Sequence, residues 1–248
     1  MTDRELVNML GPFVQAIVGA TSTESVEFVG SGFLLKQNNT IKLVTAAHVL
    51  DHHDENDSPL FIATTTGCVR VEGDAFISPI AMGAQRKDDK IDLAVVILGA
   101  DSCTKLREIS FVSYDMLDIN NVHDRTLGYF AMGFPVKKSN KLIDQANKVL
   151  EPEIYGFHVE EAEDRIYEKL GVSQASHLVL NFNKKKMFSE TGGQRTAPDL
   201  NGLSGTPIWG LVRKSATEVK AMIVAILTEH HQGALKAVVG TRVSTRIF

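Results

Sequence analysis

Gly30-Ser31-Gly32-Phe33-Leu34-Leu35, followed after a polar turn by Ile41-Lys42-Leu43-Val44-Thr45-Ala46-Ala47-His48, reads as two apolar strands, the second ending at one polar side chain. Further along, Asp92-Leu93-Ala94-Val95 opens a strand at a carboxylate. Gly202-Leu203-Ser204-Gly205-Thr206-Pro207 sets a hydroxyl among glycines. Together the three segments offer a base, a carboxylate to orient it, and a nucleophile beside glycine amides, which are the parts acyl transfer needs.

Each residue has its own local argument. Small Ala46 and Ala47 let the His48 imidazole lie in a tight cleft, where it can take a proton from a hydroxyl and return it to a leaving group. Asp92 stands at the mouth of a strand apolar on both faces, where an unpaired carboxylate is costly; a histidine Nδ1–H would pair it and fix the tautomer. Asp88 and Asp89 compete for that role but sit in the charge-rich Lys87-Asp88-Asp89-Lys90 and read as solvated. The amides of Gly202 and Ser204 can point at one spot if residue 202 takes an unusual φ, and an oxyanion would sit there.

In this order the segments resemble the chymotrypsin/trypsin-like serine peptidase family, in its bacterial and viral form more than its secreted animal form. The resemblance rests on Thr45-Ala46-Ala47-His48, Asp92-Leu93-Ala94-Val95 and Gly202-Leu203-Ser204-Gly205-Thr206-Pro207, and covers roughly residues 13 to 245. The order His, Asp, Ser differs from that in subtilisins and α/β-hydrolases. The resemblance implies an all-β fold of two six-stranded barrels, chymotrypsin-like, with His48, Asp92 and Ser204 catalytic and Gly202 and Ser204 forming the oxyanion hole. It implies one peptidase unit, with residues 1–110 as the barrel carrying His48 and Asp92 and 111–248 as the barrel carrying Ser204. Ala225-Ile226-Leu227-Thr228 resembles the strand that carries extended substrate, which puts Thr228 near Asp92 and makes Thr228, Glu229 and His230 substrate-binding. Asp199 stands one residue off the family's register for a specificity aspartate. Leu203 replaces the aspartate with which animal members pair a newly cut N-terminus, so activation of that type is excluded.

The rest of the chain agrees. A length of 248 residues suits a double barrel, and a net charge of −4 with mixed signs excludes a global basic field for nucleic acid. Lys184-Lys185-Lys186 reads as a solvated run. Cys68 and Cys103 do not flank His48, whereas secreted animal relatives staple that loop with a disulfide; its absence suggests a reducing cytosol or a bacterial chain that never needed the staple. Thr2-Asp3-Arg4-Glu5 has capping-box spacing before Leu6, Val7 and Leu10, which predicts a short N-terminal helix stopped by Gly11-Pro12 and no signal peptide. No run approaches the roughly 18 apolar residues of a membrane helix.

Strand-like runs recur near 13–20, 26–35, 41–46, 60–66, 92–98, 126–132, 177–182, 206–212, 219–228 and 235–243. One segment departs from that pattern: Val159, Ala162, Ile166, Tyr167 and Leu170 at helical spacing predict an inserted helix over 159–170. His52, His53, Asp54, Glu55 and Asp57 lack a ligand spacing and read as a polar loop, as do His230 and His231, so neither metal nor cofactor is expected. The leading expectation is a cytoplasmic serine endopeptidase acting on protein or peptide, without nucleic acid or membrane. Two alternatives stay open, an esterase-like serine hydrolase of narrow range and a binding module of the same fold without turnover.

Overall fold

Side chains in a strand alternate between two faces, and here both faces of the central strands are apolar, because each faces a different core. A computed structural model describes the chain outside residues 1, 21–25, 57, 121–125, 137–142, 145–148, 151–152, 184–186, 190–193, 196–199 and 245–248; of 3, 53–56, 143–144, 149–150 and 194–195 it describes the backbone. Strands β1 (Val14–Ala20), β2 (Val26–Gln37) and β3 (Thr40–Ala46) pair antiparallel in chain order. β4 (Leu60–Thr64) and β5 (Gly67–Arg70) widen the sheet beyond β1. On the other side β6 (Gly73–Ile77) and β7 (Leu93–Leu98) widen it, with β7 against β3, and the short β8 (Val112–Ser113) runs parallel to β2.

The second sheet begins with β9 (Thr126–Gly133). A separate small hairpin follows, β10 (Ile143–Asp144) and β11 (Val149–Leu150), and then β12 (Tyr155–Glu161), β13 (His177–Asn181), β14 (Met187–Ser189) and β15 (Gln194–Arg195). It ends with β16 (Pro207–Arg213), β17 (Val219–His231) and β18 (Ala237–Arg242). The order β13-β18-β17-β16-β9-β12, closed by a β12–β13 pairing, is a ring of six strands. The first sheet is an open half-barrel among the described residues, β5 and β6 lying at its two ends. The all-β, chymotrypsin-like architecture expected from the sequence is therefore present, with one ring closed and one open.

Alternation sorts the core. Phe33, Leu35, Val44, Leu93 and Val95 of the first sheet meet Phe130, Met132, Trp209, Ile223 and Ile226 of the second in one buried cluster between the sheets. Their neighbours Leu34, Leu43, Ala94 and Val96 point the other way, into the half-barrel, and Tyr129, Ala131, Leu178, Leu180 and Ile208 fill the closed ring. Helix α1 (Asp3–Leu10) forms as its sequence predicts: Glu5 N–H donates to the Thr2 hydroxyl at 3.3 Å and the Thr2 amide to the Glu5 carboxylate at 2.7 Å. Its Leu6, Val7 and Leu10 join the cluster between the sheets.

Helix α2 (Ala47–Asn56) follows β3 directly, and α3 (Ala100–Lys105) follows β7. The inserted helix is shorter than the spacing predicts. Val159 pairs with Tyr129 and Glu160 with Asn181 inside the ring, so the segment to Glu161 is strand, and α4 runs Asp164–Leu170 before Gly171 in the left-handed region. Pairing on both sides within a closed ring outweighs helical periodicity there. From α4, Ile166, Tyr167 and Leu170 pack on Val179 and Val239.

Candidate active site

His48 is the second residue of α2, reached straight from β3, and Asp92 is the residue before β7, the strand paired with β3. Adjacent strands therefore bring both residues to one end of the first sheet. The His48 Nδ1–H donates to Asp92 Oδ2 at 2.6 Å, and the His48 amide donates to Asp92 Oδ1 at 3.0 Å. Both carboxylate oxygens are thus committed to the same residue, which is what a buried carboxylate requires. Asp92 is 5% exposed, while the His48 ring is 38% exposed, so the pair is sealed on the acid side and open on the base side. Asp92 sits at φ +45°, a left-handed conformation that aspartate tolerates better than most side chains.

Ser204 comes from the second sheet, just before β16, and is half-buried. Its loop is stitched to the first sheet by Ser31 of β2. The Ser31 amide donates to the Ser204 carbonyl at 2.8 Å, and the Ser31 hydroxyl donates to the Gly202 carbonyl at 2.7 Å and accepts from the Phe134 amide at 3.2 Å. Gly205, at φ +86°, lies so close that a Cβ would stand 2.0 Å from the Ser31 carbonyl oxygen and 2.3 Å from Thr45 Oγ1. Only glycine fits there, and it sets Ser204 against the strand that ends at His48. Gly202 takes φ +94°, and a Cβ there would meet the Phe134 carbonyl at 2.5 Å.

The donors in this loop alternate. The amides of Leu203, Gly205 and Thr206 reach the carbonyls of Leu200, Leu227 and Leu203. Among the described residues the amides of Gly202 and Ser204 have no such acceptor. The third link of the site is looser than the first: among the described residues no hydrogen bond joins the Ser204 hydroxyl to His48, whose Nε2 has no partner.

Around Asp92 the structure corrects the reading of the preceding loop. Asp88 is exposed and accepts from the Gln85 amide, but the Asp89 side chain is only 5% exposed. Burial opposes its ionisation, yet the Ser78 hydroxyl, the Asp92 and Ile91 amides and the Arg86 guanidinium outweigh that and hold the Asp89 carboxyl below its ordinary value. Arg86 also pairs with Asp51 at 2.8 Å, one turn beyond His48 on α2, so one guanidinium ties the histidine helix to the aspartate loop. Nothing in Lys87-Asp88-Asp89-Lys90 signals this; a lone arginine upstream of the acids was the available hint. Ser31 carries a more legible signal, a polar residue inside an apolar strand.

The remaining candidates lie further along. Thr228 is buried at the bulge of β17 and its hydroxyl donates to the Val239 carbonyl at 3.4 Å, while Glu229 pairs with His231 at 3.0 Å. His230 lines a cleft of about 970 Å³ on the second sheet, shared with Tyr129, His158, Glu160, Leu200 and Phe182; His48, Asp92, Gly202 and Ser204 do not line it. Asp199, the side chains of His53 to Asp57, and Lys184 to Lys186 lie outside the described residues. His52 stands 3.7 Å from Glu27, and among the described residues no group of three potential ligands gathers for a metal. Cys68 and Cys103 are free thiols, and among the described residues no helix is long and apolar enough to cross a membrane.

No protein-family model matches the chain, and no curated protein matches it. Among solved structures it is similar to kallikrein-related peptidase 10 in complex with Zn²⁺, at 14% identity and a TM-score of 0.49, over 94% of this chain and 90% of that one. It is also similar to a chain from work on the coupled folding and binding of the intrinsically disordered Sesbania mosaic virus VPg protein. That match has 18% identity and a TM-score of 0.46, over 94% of this chain and 93% of the other.

Proposed function

We propose that the chain is a serine hydrolase that cleaves peptide bonds through an acyl-enzyme, with Ser204 as nucleophile, His48 as base and Asp92 as the group that orients and charges-balances the imidazole. The observation that carries the reading is the 2.6 Å Nδ1–Oδ2 contact, reinforced by the His48 amide on the other carboxylate oxygen. That contact fixes the proton on Nδ1 and turns Nε2 outward as the basic nitrogen. The amides of Gly202 and Ser204, without acceptors among the described residues, are the donors for the oxyanion of a tetrahedral intermediate, each worth about 3 kcal/mol of barrier. The reaction requires the Ser204 hydroxyl to meet Nε2 when substrate binds, a hydrogen bond that unliganded sites often leave unmade.

Thr228, Glu229 and His230 are proposed to border the substrate. The free thiols fit a reducing cytosol, as in bacterial members of the family the sequence resembles. The test is labelling with a fluorophosphonate followed by mapping of the adduct, then turnover of a peptide library and of simple esters. An adduct on Ser204 with peptide cleavage is expected. An adduct with ester turnover alone makes it an esterase-like hydrolase, and failure to label a folded protein makes it a binding module.

A further inference from the structure

We infer that His177 and Thr241, both from the second sheet, form a clamp that positions Asp92; the inference rests on reading His48, Asp92 and Ser204 as a triad. The two residues are direct partners across the β13–β18 pair. The His177 Nε2–H donates to the Lys90 carbonyl at 2.6 Å, and the Thr241 hydroxyl donates to the Ile91 carbonyl at 2.6 Å. Lys90 and Ile91 are the two residues directly before Asp92. Two adjacent donors on one sheet therefore hold two successive carbonyls at the mouth of a strand on the other sheet. Both donors are buried, His177 at 3% and Thr241 at 2% exposure, so water does not compete for the carbonyls.

The clamp is itself braced. A carbonyl only accepts, so in the neutral ring Nε2 of His177 carries the proton and Nδ1 accepts from the Ser176 hydroxyl at 2.8 Å. Arg242, the residue after Thr241, donates from Nε to the carbonyls of Gln174 at 2.7 Å and His177 at 2.8 Å. Asp92 needs such support because its φ of +45° is held only where the surroundings over-determine it. The first sheet holds the residue from one side, through the Ala47 amide on the Asp92 carbonyl at 3.0 Å. The clamp holds it from the other, and with both ends fixed the two carboxylate oxygens face the His48 amide and ring together.

The experiment compares Thr241→Val, which keeps the shape and removes the donor, with Thr241→Ser, which keeps the donor. Two readouts are taken: steady-state turnover, and the far-downfield proton NMR signal of the His48 Nδ1–H bonded to Asp92. Thr241→Val is expected to lower kcat by about a hundredfold, the scale at which a misplaced catalytic group is felt, with KM little changed. It should also shift or erase the downfield signal, and Thr241→Ser should restore both. A core variant remote from the clamp, Phe157→Leu, should lower the melting temperature and leave both readouts alone, which a merely structural role for Thr241 would also do. If Thr241→Val does not fold, His177→Asn, too short to reach Lys90, should reproduce the loss, and His177→Gln, whose amide nitrogen falls near Nε2, should spare it. A folded Thr241→Val or His177→Asn with wild-type kcat and an unmoved downfield signal overturns the clamp. If the wild type neither labels nor turns over, the hydrolase reading falls, and the downfield signal alone still decides the clamp.

Discussion

The two halves of the candidate site are held by different means. On the first sheet, His48 and Asp92 are locked side chain to side chain, with both carboxylate oxygens used and the acid sealed from water. On the second, Ser204 is placed by its backbone: its carbonyl is tied to Ser31, its neighbour Gly205 is wedged against Thr45, and among the described residues its hydroxyl has no partner. A base must be oriented before any substrate arrives, because its tautomer decides whether it can act at all. A nucleophile needs only one torsion to complete its placement, so the loop can leave the hydroxyl free and spend its rigidity on the two unsatisfied amides.

The contrast breaks most plainly through the reacting groups. Ser204→Ala should abolish fluorophosphonate labelling, and Ser204→Ala, His48→Ala and their double mutant should each lose turnover by about 10⁶-fold, because nucleophile and base act as one unit. Additive losses in the double mutant, measured by ester turnover with circular dichroism confirming the fold, would separate the halves. Next in size is Asp92→Asn. Asparagine accepts the left-handed φ, so the fold should survive, but the amide presents a donor to Nδ1 and the wrong tautomer follows, at a cost of about 10⁴-fold in kcat. Wild-type turnover in that variant would mean the 2.6 Å contact is structural alone.

Ser31→Ala sharpens the other half. It removes the hydroxyl that bridges Gly202 and Phe134, and leaving those buried groups unpaired should lower stability by about 1–3 kcal/mol in denaturant titration. If the Ser31 hydroxyl places the Ser204 loop independently of the first half, kcat should fall while the His48–Asp92 downfield proton stays where it is. A subtler effect is expected from Asp89. Its folded carboxyl lies below its unfolded value, so the stability it contributes is complete above the unfolded value and fades as pH falls through the folded one. Unfolding free energies of wild type and Asp89→Asn should therefore converge on strong acidification; curves that stay parallel would remove Asp89 from the bracing of the aspartate loop. Smallest of all, thiol reductant and chelator should change neither melting temperature nor turnover, and a loss restored by zinc would replace the serine reading altogether.

Much of this was legible because short motifs mark strand ends. Thr45-Ala46-Ala47-His48 ends β3 and Asp92 precedes β7, and neighbouring strands bring the two ends together with no further information needed. The capping box at Thr2 and Glu5 likewise reads from four residues. What could not be read depends on pairing across long stretches of chain. His177 meets Lys90 at a sequence separation of 87, and neither residue carries a local signal for the other. The helix expected over 159–170 fails at its start for the same reason: Val159 is claimed by Tyr129, thirty residues away, before its helical spacing counts. Charge density around Asp89 is visible in the sequence and reads as solvation, whereas the reach of Arg86 to its carboxylate is not visible there.

Ring closure in the second sheet has a consequence in time. The half-barrel pairs β1 with β2 and β2 with β3 close in the chain and β3 with β7 across some fifty residues, whereas β9 must find β16 across some eighty and β13 must find β18 across some sixty. Distant pairings form late because loop closure must precede their reward. A chain emerging from the ribosome would thus assemble the imidazole and carboxylate first, while the second sheet's two donors to Lys90 and Ile91 and the Ser204 loop arrive only when the ring shuts. On the proposed reading, the molecule until then would have its proton acceptor but no aligned attacker, so a newly made copy would be inert toward itself and its neighbours. In refolding, the fluorescence of Trp209, which lies on β16, should recover no later than the first turnover.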